Sequence, residues 1–579
     1  RARPDELCMS RLVRWRENIM IVGIDVGGTH TDAVLLDRFK IKKTAKVLTD
    51  RNNLIKSLMA VTEEIFTSED PGKLEKIVLS TTISTNAIVQ GKTDRVGMIL
   101  AAGPGLSPEM LRINNDTHFI SGYVNHRGIR VTGTDRGEVS NIGDIFKREG
   151  IDHVGIVGKF STRNPALETE TGDIIEGRFR HISFGHRTSG NLNLPRRIAT
   201  TYLNAAIWDT YNAFVKDVMN YVGRTNTTAP IYILKADGGT SSISQSARYP
   251  VGSILSGPAA SVMGILSLTN DSRDAIALDI GGTTTDIAIF AGGVPLLEPL
   301  GVTIEGHKTL IRGLLIRSIG IGGDSRIRYE DGQLVVGPER DGVAAAFGGP
   351  SPTPTDAMIA LGLTDIGDRG KALKAIEKIA DVKNYSIEEM AKEMFDLACH
   401  KIISAVNKML LEINNKPVYT VHEIFEGKKI TPEMVYIVGG PAKPMAPYID
   451  KMLGFPSCIP EHAEVANAIG AALARTTTEL TLLADTEKGE MTIAEEGIQT
   501  AIPREFTRED ALRICENKLR ERALRMGAQE DDIDIEIIED QSFNMVRGMG
   551  YTTGKNIRIK AQVKPGLIAG FKKEERHVR

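Results

Sequence analysis

Cysteine is scarce in this sequence. Cys8, Cys399, Cys458 and Cys515 are scattered along 579 residues. No CxxC and no Cys/His cluster occurs, so neither a disulfide framework nor a structural zinc site is supported, and a reducing cytoplasm is the expected compartment. Charge of one sign is missing too. With 71 basic and 74 acidic side chains and a net charge of −3, nothing points to nucleic acid or an anionic membrane as a partner. No stretch approaches the ~20 apolar residues of a membrane span. The segment Arg1 to Asn18 is basic and has no apolar core, so it reads as an N-terminal extension (1–18) rather than a signal peptide, ahead of a first strand near Ile19. The remaining composition, 41% hydrophobic and 25% charged, is ordinary for a globular protein, and the length suits about three or four domains.

Against this plain background one eight-residue pattern occurs twice. The first copy is Asp25-Val26-Gly27-Gly28-Thr29-His30-Thr31-Asp32, and the second is Asp279-Ile280-Gly281-Gly282-Thr283-Thr284-Thr285-Asp286. Each follows an apolar run and precedes another, which spells strand, Gly-Gly turn and returning strand: a β-hairpin with a polar tip. Two glycines let the backbone approach a bulky anion and aim N–H groups at it. The threonine hydroxyls add short donors. The leading aspartates suit Mg²⁺, which favours carboxylate, water and phosphate oxygens. One such tip is equally well a structural hairpin. Two near-identical copies indicate related halves that each give one hairpin to a shared cleft.

Elsewhere the chain alternates strands with helices, the mark of an α/β layer. Strands are expected at Lys40 to Thr49, Ile77 to Leu79, Arg95 to Ala101, Val154 to Val157, Ile231 to Leu234 and Met434 to Val438. Helices are expected at Leu54 to Phe66, at Ala87 to Gln90 and, as one long connector of the two halves, at Leu194 to Val222. Residues 103–141 are irregular and read as an inserted lobe or loops. His118 and His126 lie there and read as surface or hydrogen-bonded histidines, because no carboxylate sits at ligand spacing. Gly320-Ile321-Gly322-Gly323-Asp324-Ser325 is a glycine loop, and Gly439-Gly440-Pro441 ends a strand. Past Arg475 a charged helix and strand signals around Gly548 and Gly550 suggest a small α+β appendix.

The order of these motifs resembles the actin/Hsp70/sugar-kinase ATPases. More narrowly it resembles the hydantoinase A/5-oxoprolinase (N-methylhydantoinase A) family. The resemblance is carried by DVGGTHTD (25–32), STTISTNAIVQGK (80–92), STRNPALE (161–168), LKADGG (234–239), SGPAAS (256–261), DIGGTTTD (279–286) and PTPTDAMIALG (352–362). It implies an α/β fold of two ribonuclease-H-like (actin-like ATPase) domains around a nucleotide cleft, at 19–193 (with the inserted lobe) and 194–478, followed by the appendix at 479–579. It implies ATP-dependent opening of a cyclic amide, with ATP and Mg²⁺ as cofactors.

By the same resemblance, Asp25 and Asp279 are candidate metal and catalytic residues, and Asp32 and Asp286 are further catalytic candidates. Gly27, Gly28, Thr29, Thr31, Gly281, Gly282, Thr283, Thr284, Gly322, Gly323, Gly439, Gly440 and Pro441 are candidates for holding the nucleotide. Thr82 and Asn86 are candidates for the substrate side, with a helix-start hydrogen bond the alternative for Asn86. A hydantoinase B-like partner subunit and an oligomer are expected. The chain departs from the family text at Arg317, where relatives often carry His, and at Asp324, where they carry Gly. An ATP-driven reactivase or a small-molecule kinase stays open beside the hydrolase, since the fold serves all three.

Overall fold

The repeated octapeptide is a hairpin tip in both places, and each hairpin begins a sheet of the same strand order. The structure is a computed structural model that describes residues 20–571 apart from 51–52, 68, 226, 270, 299, 416–428, 548–550 and 570. The N-terminal extension with Cys8, the start of the first strand at Ile19, and Gly548 and Gly550 therefore lie outside the described residues.

In the first half, β1 (Met20–Val26) pairs antiparallel with β2 (His30–Asp37), and β3 (Lys40–Leu48) returns beside β2. Helix α1 (Leu54–Phe66) follows. Its start is fixed by Asn53, whose side chain accepts from the Lys56 N–H, and it buries Leu58, Val61 and Ile65 on one face. β4 (Leu74–Thr81) then runs parallel to β1 and leads into α2 (Ile83–Val89).

A second, wholly parallel sheet is built from β5 (Val96–Ala101), β6 (Thr117–Phe119), β7 (His153–Gly158) and β8 (His181–Phe184). Residues 103–141, expected to be irregular, contain β6 and the start of α3 (Arg136–Arg148). Asp135 caps that helix, its carboxylate accepting from the Gly137 and Glu138 N–H groups, and Val139, Ile142 and Phe146 are buried. Helix α4 (Ala166–Ile175) also belongs here.

The connector expected as one helix is two: α5 (Leu194–Ala206) and α6 (Trp208–Val222), broken at Ile207. Ile207 sits at φ −107, ψ 6, off the helical region, and hydrophobic spacing on both sides hides such a break. The strand expected to restart the second half, β9 (Ile231–Leu234), instead pairs parallel with β4, and β10 (Thr240–Ser242) completes the edge. The first sheet thus runs β10-β9-β4-β1-β2-β3.

After α7 (Ser256–Leu268), the second hairpin is β11 (Ala275–Ile280) with β12 (Thr285–Ala291). β13 (Val294–Pro295) and β14 (Ile316–Ile319) both pair with β12. Helices α8 (Pro354–Ala360), α9 (Arg369–Lys383) and α10 (Ile387–Asn414) follow, then β15 (Met434–Val438), α11 (Ala442–Leu453), β16 (Ser457–Cys458) and α12 (Ala466–Leu473). This sheet runs β13-β12-β11-β15-β16, so both halves place an antiparallel trio beside parallel strands, as in ribonuclease-H-like domains. The remainder is a five-stranded sheet of β17 (Glu479–Asp485), β18 (Glu490–Ile493), β19 (Ile498–Ala501), β20 (Ile535–Arg547) and β21 (Tyr551–Val563), packed on α13 (Arg508–Arg525). The fold is mixed α/β with an α+β appendix. No helix among the described residues is long and apolar enough to cross a membrane.

What positions the site is the layer between the two main sheets. Ala260 and Met263 of α7 share one apolar cluster with Val78 of the first sheet and Ala277 of the second. Ala468 and Ile469 of α12 pack on Ile21, Val34 and Leu36 of the first hairpin. The two helices touch backbone to backbone. A Cβ on Gly470 would lie 2.2 Å from the Gly264 nitrogen and 2.4 Å from the Ala260 oxygen, and one on Gly23 would lie 2.0 Å from the Ala468 oxygen. Rotation of a side chain cannot relieve such a clash. Gly470→Val should therefore cost ~3 kcal/mol or more, read as a lower urea midpoint. An unchanged midpoint would show that the helices part without cost.

Candidate functional site

The register of both hairpins puts the paired aspartates directly across from each other. Asp25 faces Asp32, and Asp279 faces Asp286. The tips close alike, with the Gly27 N–H donating to the His30 carbonyl and the Gly281 N–H to the Thr284 carbonyl. Each hairpin therefore carries two carboxylates at the neck of a glycine turn.

The helix layer brings the necks together. Asn467, the polar residue in the otherwise apolar run of α12, donates from Nδ2 to Asp25 Oδ2 at 3.2 Å. The same amide favours the charged form of Asp279 on the other hairpin. From α7, Ser261 donates to Asp279 Oδ2 at 2.5 Å. Charges act across the gap as well: Asp279 raises the pKa of Asp25, Asp32 raises that of Asp279, and Asp324 acts on His30. The twin tips thus face one another.

Burial sets the proton affinities. Asp25 is 4% exposed, and burial pushes its carboxyl up to about 7, with Asp32 and Asp279 adding to the rise. Asp25 Oδ1 is buried with no hydrogen-bond partner among the described residues. Burial also raises Asp279 and lifts Asp286 to about 7, the latter beside Asp279 and hydrogen bonded to Ser318. Asp32 is raised by burial, and Lys46 offsets part of this at 3.1 Å. Ser80 and Asn467 favour the charged form of Asp25, and a set of close carboxylates with an oxygen to spare is the donor chemistry that suits Mg²⁺.

Around the second tip the glycines are needed for close approach. The Gly323 N–H donates to the Gly281 carbonyl at 2.9 Å and the Asp324 N–H to the Gly282 carbonyl at 2.6 Å. A Cβ on Gly322 would lie 2.6 Å from the Gly281 oxygen, and one on Gly323 would lie 3.0 Å from a Pro441 ring carbon. Gly439, at φ +96, has room for a Cβ only at 2.2 Å from the Ile280 oxygen. Gly281, Gly282, Gly322, Gly323, Gly439 and Pro441 thus converge, with Gly440 exposed beside them. Gly28 and Thr29 are exposed on the first tip, with Gly27 half-buried, and Thr284 is exposed on the second.

Other candidates make contacts of their own. Thr31 is fully buried and its hydroxyl is shared with Thr49, so it points into the fold and not to the tip. Thr82 sits under the first hairpin, with its N–H and hydroxyl on the Val26 carbonyl, and it accepts from Asn86 Nδ2 at 3.1 Å, the helix-start bond. His118 packs edge-on against Phe146, and His126 is exposed. Arg317 pairs with Glu412.

Sequence reasoning missed Asn467 and Arg340. The signal for Asn467 was one amide in an Ala/Gly-rich helix. Arg340 had none: it reaches the site from a loop, donating to Asp324 at 2.6 Å and to Thr283 Oγ1 at 3.2 Å. Asp324 is thereby neutralised beside the second tip.

Comparison with known proteins follows the same lines. A hydantoinase/oxoprolinase family profile matches residues 197–480, and the profile of that family's N-terminal region matches 21–179. Caprolactamase subunit alpha of Pseudomonas jessenii is 24% identical over 444 residues, 68% of this chain and 63% of that protein. An uncharacterised protein of Methanocaldococcus jannaschii is 24% identical over 70% of this chain and 67% of its own. 5-oxoprolinase 1 of Arabidopsis thaliana is 22% identical, and the matched region spans only 24% of its length. Among solved structures, nucleotide-free acetone carboxylase has a TM-score of 0.71 at 18% identity, covering 96% of this chain and 89% of that one. The ATP-dependent caprolactamase of P. jessenii has 0.69 at 19%, covering 96% and 88%. Both share the fold.

The raised carboxyls predict a pH dependence. Asp25 in the folded chain holds its proton up to about 7, well above its unfolded value of about 3.9. The folded state therefore binds more protons between these values, and stability falls as pH rises through that window. With chelator present, urea stability should drop between pH 6 and pH 8 by about 1 kcal/mol through this group. Asp25→Asn should flatten that drop and raise stability at pH 8. Equal slopes in variant and parent would contradict the assignment.

Proposed function

The chain belongs to the hydantoinase/oxoprolinase family, and on that footing we propose that it uses ATP to open a cyclic amide of hydantoin, 5-oxoproline or lactam type. The observation that carries this reading is the convergence of two Asp-x-Gly-Gly-Thr necks on one amide, Asn467. A lactam ring is stable and resists water. ATP, bound with Mg²⁺, supplies the phosphoryl group that activates the ring amide oxygen.

The chain's own part is positioning and charge. Gly27, Gly28, Gly281 and Gly282 let the backbone approach the phosphates closely, with the Gly27 and Gly281 N–H groups holding the tips shut, and Thr29 and Thr283 add hydroxyls. Asp25 and Asp279 hold the metal, kept in place by Asn467 and Ser261. Gly322, Gly323, Gly439, Gly440 and Pro441 border the nucleoside. Asp286, titrating near 7, suits proton transfer at neutral pH, and Asp32 is held ready by Lys46. Thr82 and Asn86 lie on the substrate side of the first hairpin. The P. jessenii relative is an alpha subunit, which supports a separate hydantoinase B-like partner here. A cytoplasmic setting suits an ATP user.

Phosphate release should be measured with ATP against hydantoin, 5-oxoproline and caprolactam, with and without a partner subunit. Turnover should rise with one ring and track its opening. If no ring stimulates it, the proposed chemistry fails; a stable phosphorylated product would mark a kinase. Asp279→Ala should lower ATP turnover at least ~100-fold while the fold persists.

A further inference from the structure

The appendix shares a cavity with the edge of the first sheet. It has a volume of about 360 Å³, at the low end for small-molecule sites, and its lining includes no residue of either hairpin tip. One wall comes from β9, β10 and the segment 245–253, and the other from 495–497 and the end of α13.

The lining is basic. Five cations face two carboxylates, Glu495 and Glu496. Arg522 and Arg525, from α13, are both committed to Glu496. Arg187 and Arg248 stand exposed at the cavity with no ion-pair partner among the described residues. Lys235 lies deeper, its amine on the Thr477 carbonyl at 2.8 Å and its charge paired with Asp237 at 3.4 Å, so it adds little to the free charge of the cavity. Serine and tyrosine hydroxyls fill in between. Two exposed guanidiniums without a carboxylate partner, Arg248 and Arg187 (the latter over the Phe184 ring at 4.8 Å), at the mouth of an open cavity form a receptor for negative charge.

We propose that this cavity binds a small polyanion carrying carboxylate or phosphate groups, with the appendix supplying one wall of the site. The full chain should be titrated calorimetrically with citrate and, separately, with inorganic pyrophosphate. Saturable binding of at least one is expected, weakened at least tenfold in the Arg187→Gln/Arg248→Gln double variant. Both positions are exposed, so thermal unfolding of the double variant should match the parent. Citrate alone binding would identify a carboxylate ligand, and pyrophosphate alone a phosphate ligand. No saturable binding of either probe to the parent, or equal affinity in the double variant, overturns the proposal.

Discussion

Gly264 of α7 and Gly470 of α12 carry no side chain where their helices meet, and the space a methyl group would need is occupied by the facing backbone. Gly23 on β1 repeats this against α12. Those three omissions set the separation of the two main sheets to one thin helical layer. Because the layer is thin, a side chain as short as asparagine spans from one hairpin to the other. A bulkier layer would leave two unrelated turns.

The electrostatics follow from that closeness. Four hairpin carboxyls share a largely buried neck, and Lys46 is the cation paired with one of them. Each carboxyl resists ionisation because it is buried (Asp25, Asp32) or half-buried (Asp279, Asp286) and its neighbours have the same sign. The fold thus stores an unfavourable charge arrangement that a divalent cation would relieve. The departures from the family pattern settle their own charges: Asp324 pairs with Arg340, and Arg317 with Glu412.

Much of this was legible in the residues because the informative signals were local. The Gly-Gly-Thr turns and their flanking apolar runs specify hairpins wherever they occur, and α1 is written in the spacing of Leu58, Val61 and Ile65. What was illegible depends on distant partners. Strand β9 looks the same in either sheet until β4 is beside it. Ile207 looks helical from its neighbours, although the backbone turns off there. Thr31 shares a motif with exposed Thr29, yet strand alternation sends it inward to Thr49. Asn467 becomes meaningful only when two aspartates arrive from far upstream.

The chain path has a consequence for biosynthesis. The face of the first hairpin that carries Ile21, Val34 and Leu36 is covered by α12, and Asp25 waits 442 positions for Asn467. A ribosome delivers these segments in order. The first sheet therefore emerges with that apolar face bare, and the face stays bare until α12 has been made. A chain that stopped short of α12 would leave Ile21, Val34 and Leu36 facing water.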